Sequence, residues 1–167
     1  LDITLSNDVQ VEVSGGDNAG LACGTMGENT SLAVSLSSNL LDISGKSNAG
    51  VFVGKMSADA TLNIDKCNTL TDVNISANNA GGLVGSAENA EINVGEGVTL
   101  TMTGSVTGSV NAGGLFGSYT YSKANEKTFD ISKFSGMEMA LACSSGDTAD
   151  SAAVGSVFGV LTNSTDS

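Results

Sequence analysis

Short apolar runs recur along the chain in a fixed order. Leu32, Val34 and Leu36 alternate with Ala33 and Ser35; Leu62 and Ile64 flank Asn63; Ile92 and Val94 flank Asn93; Phe129 and Ile131 flank Asp130. A second set follows: Leu41 and Ile43, then Val73 and Ile75, then Val98, Leu100 and Met102, then Met137, Met139 and Leu141. Alternation with a period of two predicts half-buried strands. Polar, glycine-bearing breaks separate the runs, for example Ser86–Asn89 and Gly95–Gly97, and predict turns.

A third element ties these runs together. Asn18-Ala19-Gly20-Leu21-Ala22-Cys23-Gly24 returns as Asn48–Gly54, Asn79–Gly85 and Asn111–Gly117, and a worn copy ends in Gly155-Ser156-Val157-Phe158-Gly159. A fixed spacing near thirty residues marks a repeat architecture. One such unit of three short strands cannot bury its apolar face alone; stacked on its neighbours, it can. The predicted fold is therefore all-β: a parallel β-helix, or β-solenoid, of about five turns with three short strands per turn. It forms one domain over 1–167, with repeats near 14–44, 45–75, 76–107, 108–146 and 147–167. At about 4.8 Å per turn the rod is on the order of 24 Å tall.

The glycines of the phrase are expected at corners, where positive backbone dihedrals are needed. Gly24, Gly54, Gly85 and Gly117 should stack along one edge. Asn18, Asn48, Asn79 and Asn111 should stack too, and two uses are open to them: an amide ladder from turn to turn, or capping of local turn amides. Each phrase holds two successive apolar residues, such as Phe52-Val53 and Leu83-Val84. Strict alternation would bury only one of each pair, so either the chain turns a corner there or another layer covers the outer face.

Composition narrows the functions. The 167 residues carry 40% hydrophobic and 14% charged side chains, with a net charge of -12, a foldable chain rather than a disordered acidic tail. All six cations are lysines, and histidine, arginine and proline are absent. No basic cluster serves nucleic acid or anionic lipid, and no apolar run is long enough for membrane insertion. Without histidine there is no Ser-His-Asp or Cys-His machinery. A polysaccharide hydrolase needs two facing carboxylates; Asp42, Asp72 and Asp130 lie on predicted strands, but no register forces a pair. Cys23 takes the slot of Val53, Val84 and Phe116 and reads as a small buried hydrophobe. No cofactor is expected. A structural calcium ion is the alternative: Gly16-Asp17-Asn18 and Asp147–Asp150 are oxygen-rich, though neither matches a calcium-loop pattern. Thr99, Thr101 and Thr103 share one face, as in ice-binding solenoids, but without a stacked column they read as strand formers.

At Gly82-Leu83-Val84-Gly85 and Gly114-Leu115-Phe116-Gly117, and more loosely at Gly20–Gly24 and Gly50–Gly54, the chain resembles the GLUG-motif repeats, named for a Gly-Leu-hydrophobic-Gly core. The resemblance covers about five units. It implies a module of a bacterial cell-surface or secreted protein, adhesin-like and extracellular, and it carries over no catalytic residue. The expected function is a non-catalytic structural or adhesive rod, with a host or community glycan or protein as partner; the alternative is a carbohydrate-active β-helix enzyme or glycan-binding module. The stretch after Gly117 is longer than its counterparts. It predicts an outward bulge with Tyr119 and Tyr121 as a contact loop. The last unit, where Asn-Ala-Gly has become Ser151-Ala152-Ala153, puts the edge of the regular rod near 123–150. The chain opens on Leu1 and stops at Ser167 with strand-like ends that carry no blunting charge or proline. It is expected to be a piece of a longer protein whose ends continue into further turns or dock on adjacent domains of the same chain.

Overall fold

The computed structural model describes residues 2–4, 10–37, 39–67, 69–122, 127–144 and 152–164. The chain winds as a parallel β-solenoid. β1 (Asp2–Thr4) precedes the first full pass, which comprises β2 (Val11–Gly15), β3 (Asn18–Gly20), β4 (Cys23–Met26) and β5 (Ser31–Ser37). The second holds β6 (Asn39–Gly45), β7 (Asn48–Gly50), β8 (Val53–Met56) and β9 (Thr61–Cys67). The third holds β10 (Leu70–Gly81), β11 (Val84–Glu88) and β12 (Glu91–Val94), the fourth β13 (Thr101–Gly113) and β14 (Phe116–Tyr121). The fifth holds β15 (Gly136–Cys143), β16 (Ala153–Gly155) and β17 (Phe158–Asn163).

Equivalent strands pair in parallel and form three faces. Sheet A runs β1-β5-β9-β12; sheet B contains β2, β6, β10, β13 and β15, with β3, β7 and β16 along its end; sheet C runs β4-β8-β11-β14-β17. Five stacked levels, joined by four complete turns, make the rod. The B pass is one strand at levels three and four, and two short strands at levels one, two and five.

Inward positions form columns that climb the rod. Val13, Ile43, Ile75, Val106 and Leu141 are successive register partners. So are Cys23, Val53, Val84, Phe116 and Phe158, and Ala19, Ala49, Ala80, Ala112 and Val154. In the middle levels these side chains are sealed: Ile43, Val53, Val84, Val106 and Phe116 are each 0–2% exposed. Each such burial is worth roughly 1.5–3 kcal/mol relative to exposure, and one level supplies the cover for the next.

The paired apolar residues are explained by a corner. The bends fall at 21–22, 51–52 and 82–83, so the chain direction changes between the two residues. Phe52 and Val53, like Leu83 and Val84, are then both buried, with no second layer outside.

Two expectations need correction. Phe129 and Ile131 do not form a fourth-level strand of sheet A. The chain there makes a short 3-10 helix, Ile131–Phe134, whose N-cap Asp130 accepts from the Ser132 backbone N. Ile131 is left 65% exposed and Phe134 takes the buried place. The extra residues after Gly117 displace this segment from the repeat register. The phrase glycines, secondly, do not have positive φ. Among the described glycines only Gly97 (φ 72°) and Gly104 (φ 144°) do.

Candidate functional site

What the phrase glycines supply is space. A Cβ on Gly50 would lie 2.6 Å from Leu83 O and from Val84 Cα on the next level, and 2.7 Å from Val53 O on its own. A Cβ on Gly85 would lie 2.6 Å from Gly54 O, and one on Gly117 2.6 Å from Gly85 O. Gly24, Gly54, Gly85 and Gly117 therefore stack one above another, and the backbones of two faces and two levels meet at one edge.

That edge carries a spine of amides. Asn48 Nδ2 donates to Asn18 Oδ1 at 2.7 Å, Asn79 Nδ2 to Asn48 Oδ1 at 2.9 Å, and Asn111 Nδ2 to Asn79 Oδ1 at 2.7 Å. At the lower end Asn18 Nδ2 donates to Thr25 Oγ1 at 3.0 Å. Between ladder and local capping, the structure selects the ladder. Asn48 and Asn111 are 8% exposed, so each amide replaces water with a neighbour of its own kind. The ladder also engages the Asn18 side-chain oxygen, at the Gly16–Asn18 segment weighed above for calcium. Asp147–Asp150 lies outside the described residues.

The outer face of sheet B bears two further columns that single repeats do not reveal. Ser14, Ser44, Ser76 and Thr107 are register partners, as are Glu12, Asp42, Asn74 and Ser105. The second column is hydrogen-bonded from Asp42 to Ser105: Gln10 Nε2 and Asn74 Nδ2 both donate to the Asp42 carboxylate, the latter at 3.1 Å, and Ser105 Oγ donates to Asn74 Oδ1 at 2.8 Å. On sheet A, Asn93 Nδ2 donates to Asn63 Oδ1 at 3.1 Å and Asn63 Nδ2 to Ser31 Oγ at 3.0 Å. A shallow depression of about 160 Å³ runs over Glu12, Asp42, Asn74, Ser76 and Thr107.

Of the candidate carboxylates, Asp42 and Asp72 lie on neighbouring strands of sheet B, and Asp130 lies apart from them beside the end of sheet A. Asp42 lies on sheet B, where its oxygens bind neighbouring side chains. Asp72 stands in the kinked start of β10 with φ 53°. Asp130 is on the A side, held below the usual carboxylate range by the Ser132 hydroxyl and then by the Ser132 backbone N–H. Among the described residues no three His, Cys, Asp or Glu side chains group as metal ligands.

Tyr119 is not a loop residue. It lies in β14, 2% exposed, and its hydroxyl donates to Ala90 O at 2.6 Å. Its register partners Ala87 and Leu161, and Met56 and Met26 below them, make the column. Burial, and after it the charges of Glu91 and Asp59, push the phenol up to about 12. Phe116, Tyr119, Phe129 and Phe158 pack with ring centroids 5.1–5.9 Å apart. Tyr121, at the end of β14, is half-buried against this cluster. Residues 123–126, the tip of the anticipated bulge, lie outside the described residues. Beside the rings a hollow of about 330 Å³ opens, lined by Tyr121, Lys127, Phe129, Phe158 and Leu161 among others. Lys127 Nζ stands 3.8 Å from Asp59 Oδ1. Cys23 is half-buried in its column, its thiol donating to Thr25 O at 3.0 Å, and Cys23 and Cys143 are free thiols.

Set against known protein families, curated proteins and solved structures, the chain matches none of them.

Proposed function

We propose that the chain is a stiff, non-catalytic rod module of a bacterial cell-surface or secreted protein, of the GLUG-repeat, adhesin-like kind, acting outside the cell without a cofactor. The observation that carries this reading is where the polar side chains are used. Asn48, Asn79 and Asn111 on the edge, Asp42, Asn74 and Ser105 on sheet B, and Asn63 and Asn93 on sheet A all bond along the rod axis. Such bonds tie level to level and resist bending. An enzyme needs groups that converge on a reacting atom, and the Asp42 carboxylate is instead bonded to its neighbours on sheet B. A glycan-binding role finds support in the depression on sheet B. Its hydroxyls, Ser44, Ser76 and Thr107, repeat from level to level, a spacing suited to an extended host or community polymer lying along the rod.

The test joins two assays. The chain is incubated with neutral and acidic polysaccharides and the release of reducing ends or unsaturated products is followed. It is also printed against immobilised glycans and mucins. No turnover, together with binding lost on Asn74→Leu with Ser76→Leu, is the expected result. Turnover of any polysaccharide overturns the non-catalytic reading, and binding that ignores the sheet B pair overturns the assignment of the face.

A further inference from the structure

The two columns on the outer face of sheet B differ in what they bond to. Asp42, Asn74 and Ser105 are tied to one another along the rod axis. Ser44, Ser76 and Thr107 stand two residues further along the same strands. Among the described residues no hydrogen bond engages these three hydroxyls. The depression lies between the columns, over Ile43 and Ile75, whose side chains are buried in the core. One wall of the groove is therefore fixed by its own bonds. The other offers a donor and two acceptor lone pairs at each hydroxyl. These hydroxyls lie at levels two to four, away from both ends of the chain.

The period of the free hydroxyls selects what can lie along them. Levels repeat at about 4.8 Å. Side chains on one face of an extended peptide repeat at about 6.7 Å, twice the rise per residue, and fall out of step with the levels at once. An extended β-1,4-linked sugar chain advances by close to one level per ring and carries hydroxyls along both edges. Charge narrows the class further. Glu12 and Asp42 line the groove and no lysine does, in a chain of net charge -12, so a polyanion is repelled. We propose that the groove on sheet B binds a neutral, extended β-1,4-linked polysaccharide along the rod axis, one ring per level, with Ser44, Ser76 and Thr107 as its main hydrogen-bonding contacts.

This inference rests on the glycan-binding part of the rod reading and names its ligand. The bonded wall holds the groove in one shape, and serine and threonine are short, so binding orders few side-chain torsions and loses little entropy. No aromatic ring lines the groove, so affinity builds from one hydroxyl contact per level rather than from a single stacked anchor. The lining runs from Glu12 at the first level to Ser105 and Thr107 at the fourth, and the footprint is therefore about four rings at one ring per level.

The test is a chemical-shift titration of the 167-residue chain with cello- and manno-oligosaccharides of increasing length, with maltohexaose and with hexagalacturonate. Affinity in the β-1,4 series should rise up to about four rings and then level off, with the shifted amides on β6, β10 and β13. It should change less than about twofold between low and high salt, as expected of an uncharged ligand. It should exceed the affinity for maltohexaose and for hexagalacturonate at least about tenfold, or 1.4 kcal/mol. Ser44→Ala with Ser76→Ala and Thr107→Val removes the free hydroxyls, leaves Asp42, Asn74 and Ser105 bonded, and should weaken binding by a similar factor with the circular dichroism spectrum kept. Ser86→Ala with Ser118→Ala, a bonded pair on sheet C, should leave binding unchanged. Hexagalacturonate bound as tightly as the neutral chains overturns the neutral class, and maltohexaose bound equally overturns the extended chain; both results leave the glycan-binding reading standing. Shifts confined to other faces, or full affinity in the hydroxyl variant, overturn the assignment of the groove. No binding of any β-1,4 chain overturns the inference, while the reading beneath it is judged separately by the immobilised glycans and mucins.

Discussion

Two corners of the same triangular coil are built by opposite means. Where sheet B passes into sheet C, glycines flank the bend, and none of them has positive φ. Where sheet C passes into sheet A there is no stacked glycine, and the turn is made by Asn29 (φ 53°), Asp59 (φ 55°) and Asn89 (φ 43°). The first corner is a problem of volume: backbones from two faces and two levels converge, and a Cβ has no place. The second is a problem of dihedral angle. It has room for a side chain, and Asn or Asp enters the left-handed region at small cost because its short polar group bonds locally. A glycine-rich corner is therefore not evidence of a left-handed backbone.

The largest effect should come from the crowded corner. Gly50→Ala places a methyl against three backbone atoms that cannot rotate away, and should cost at least about 3 kcal/mol, the upper range for overpacking. Thermal unfolding would fall by roughly 6–12 °C for a chain of this size. Gly16→Ala is the control, since a Cβ there meets nothing within 4 Å, and its midpoint should stay close to that of the parent. Equal losses in the two variants would break the distinction between volume and dihedral.

Next in size is the spine on the same edge. Asn79→Ala removes the acceptor of Asn111 and the donor to Asn48. It leaves two largely buried amide groups half-satisfied, which costs about 1–3 kcal/mol. Urea unfolding of Asn79→Ala beside Asn78→Ala, an exposed neighbour, separates the spine from general amide loss.

Much of this was legible in the sequence. The thirty-residue return of the phrase and the two alternating runs fix the number of levels and the inward residues, because burial in a stacked coil obeys period two within a strand. The stacking of Asn18, Asn48, Asn79 and Asn111 was legible as well, though not whether their amides bond upward or locally, a choice set by the burial of the edge. Tyr119 was misplaced for a correctable reason. It stands two residues after Gly117, as Met56 follows Gly54 and Ala87 follows Gly85, and counting from the closing glycine assigns it to an inward column. Loop composition hid that count. The polar columns of sheet B were hidden because they join residues 31–32 apart that have no common type, Asp42 with Asn74 and Ser105. The 3-10 segment at Ile131–Phe134 was illegible, since an insertion removes the register that made the other levels readable.

A smaller effect follows from Tyr119, next to the glycine corner yet inside the core. Its phenol ionises near pH 10 when unfolded and is pushed up to about 12 in the fold. The unfolded chain loses its proton first. The contribution is therefore fully present below about pH 10 and declines as pH rises toward 12. Stability of Tyr119→Phe should lack this part of the alkaline decline, measured by urea titration at pH 8, 10 and 11.

The smallest effect belongs to the roomy corner. Asp59→Gly keeps the left-handed turn and gives up an exposed ion pair with Lys127, so stability should change by no more than about 0.5 kcal/mol. Asp59→Val forces a branched side chain into that conformation and should lose about 1–2 kcal/mol. If Asp59→Gly were as damaging as Gly50→Ala, the two corners would not differ in kind.

The central claim is that levels of a parallel coil are bolted together by an amide spine. It is tested most directly by through-hydrogen-bond NMR couplings between side-chain amides, recorded on the 167-residue chain. Three correlations are expected, from the Nδ2 of Asn48, Asn79 and Asn111 to the Cγ of Asn18, Asn48 and Asn79 in turn, with slowed exchange of those protons. Four asparagine amides that show no such coupling and exchange as freely as those of an unfolded peptide would contradict the account.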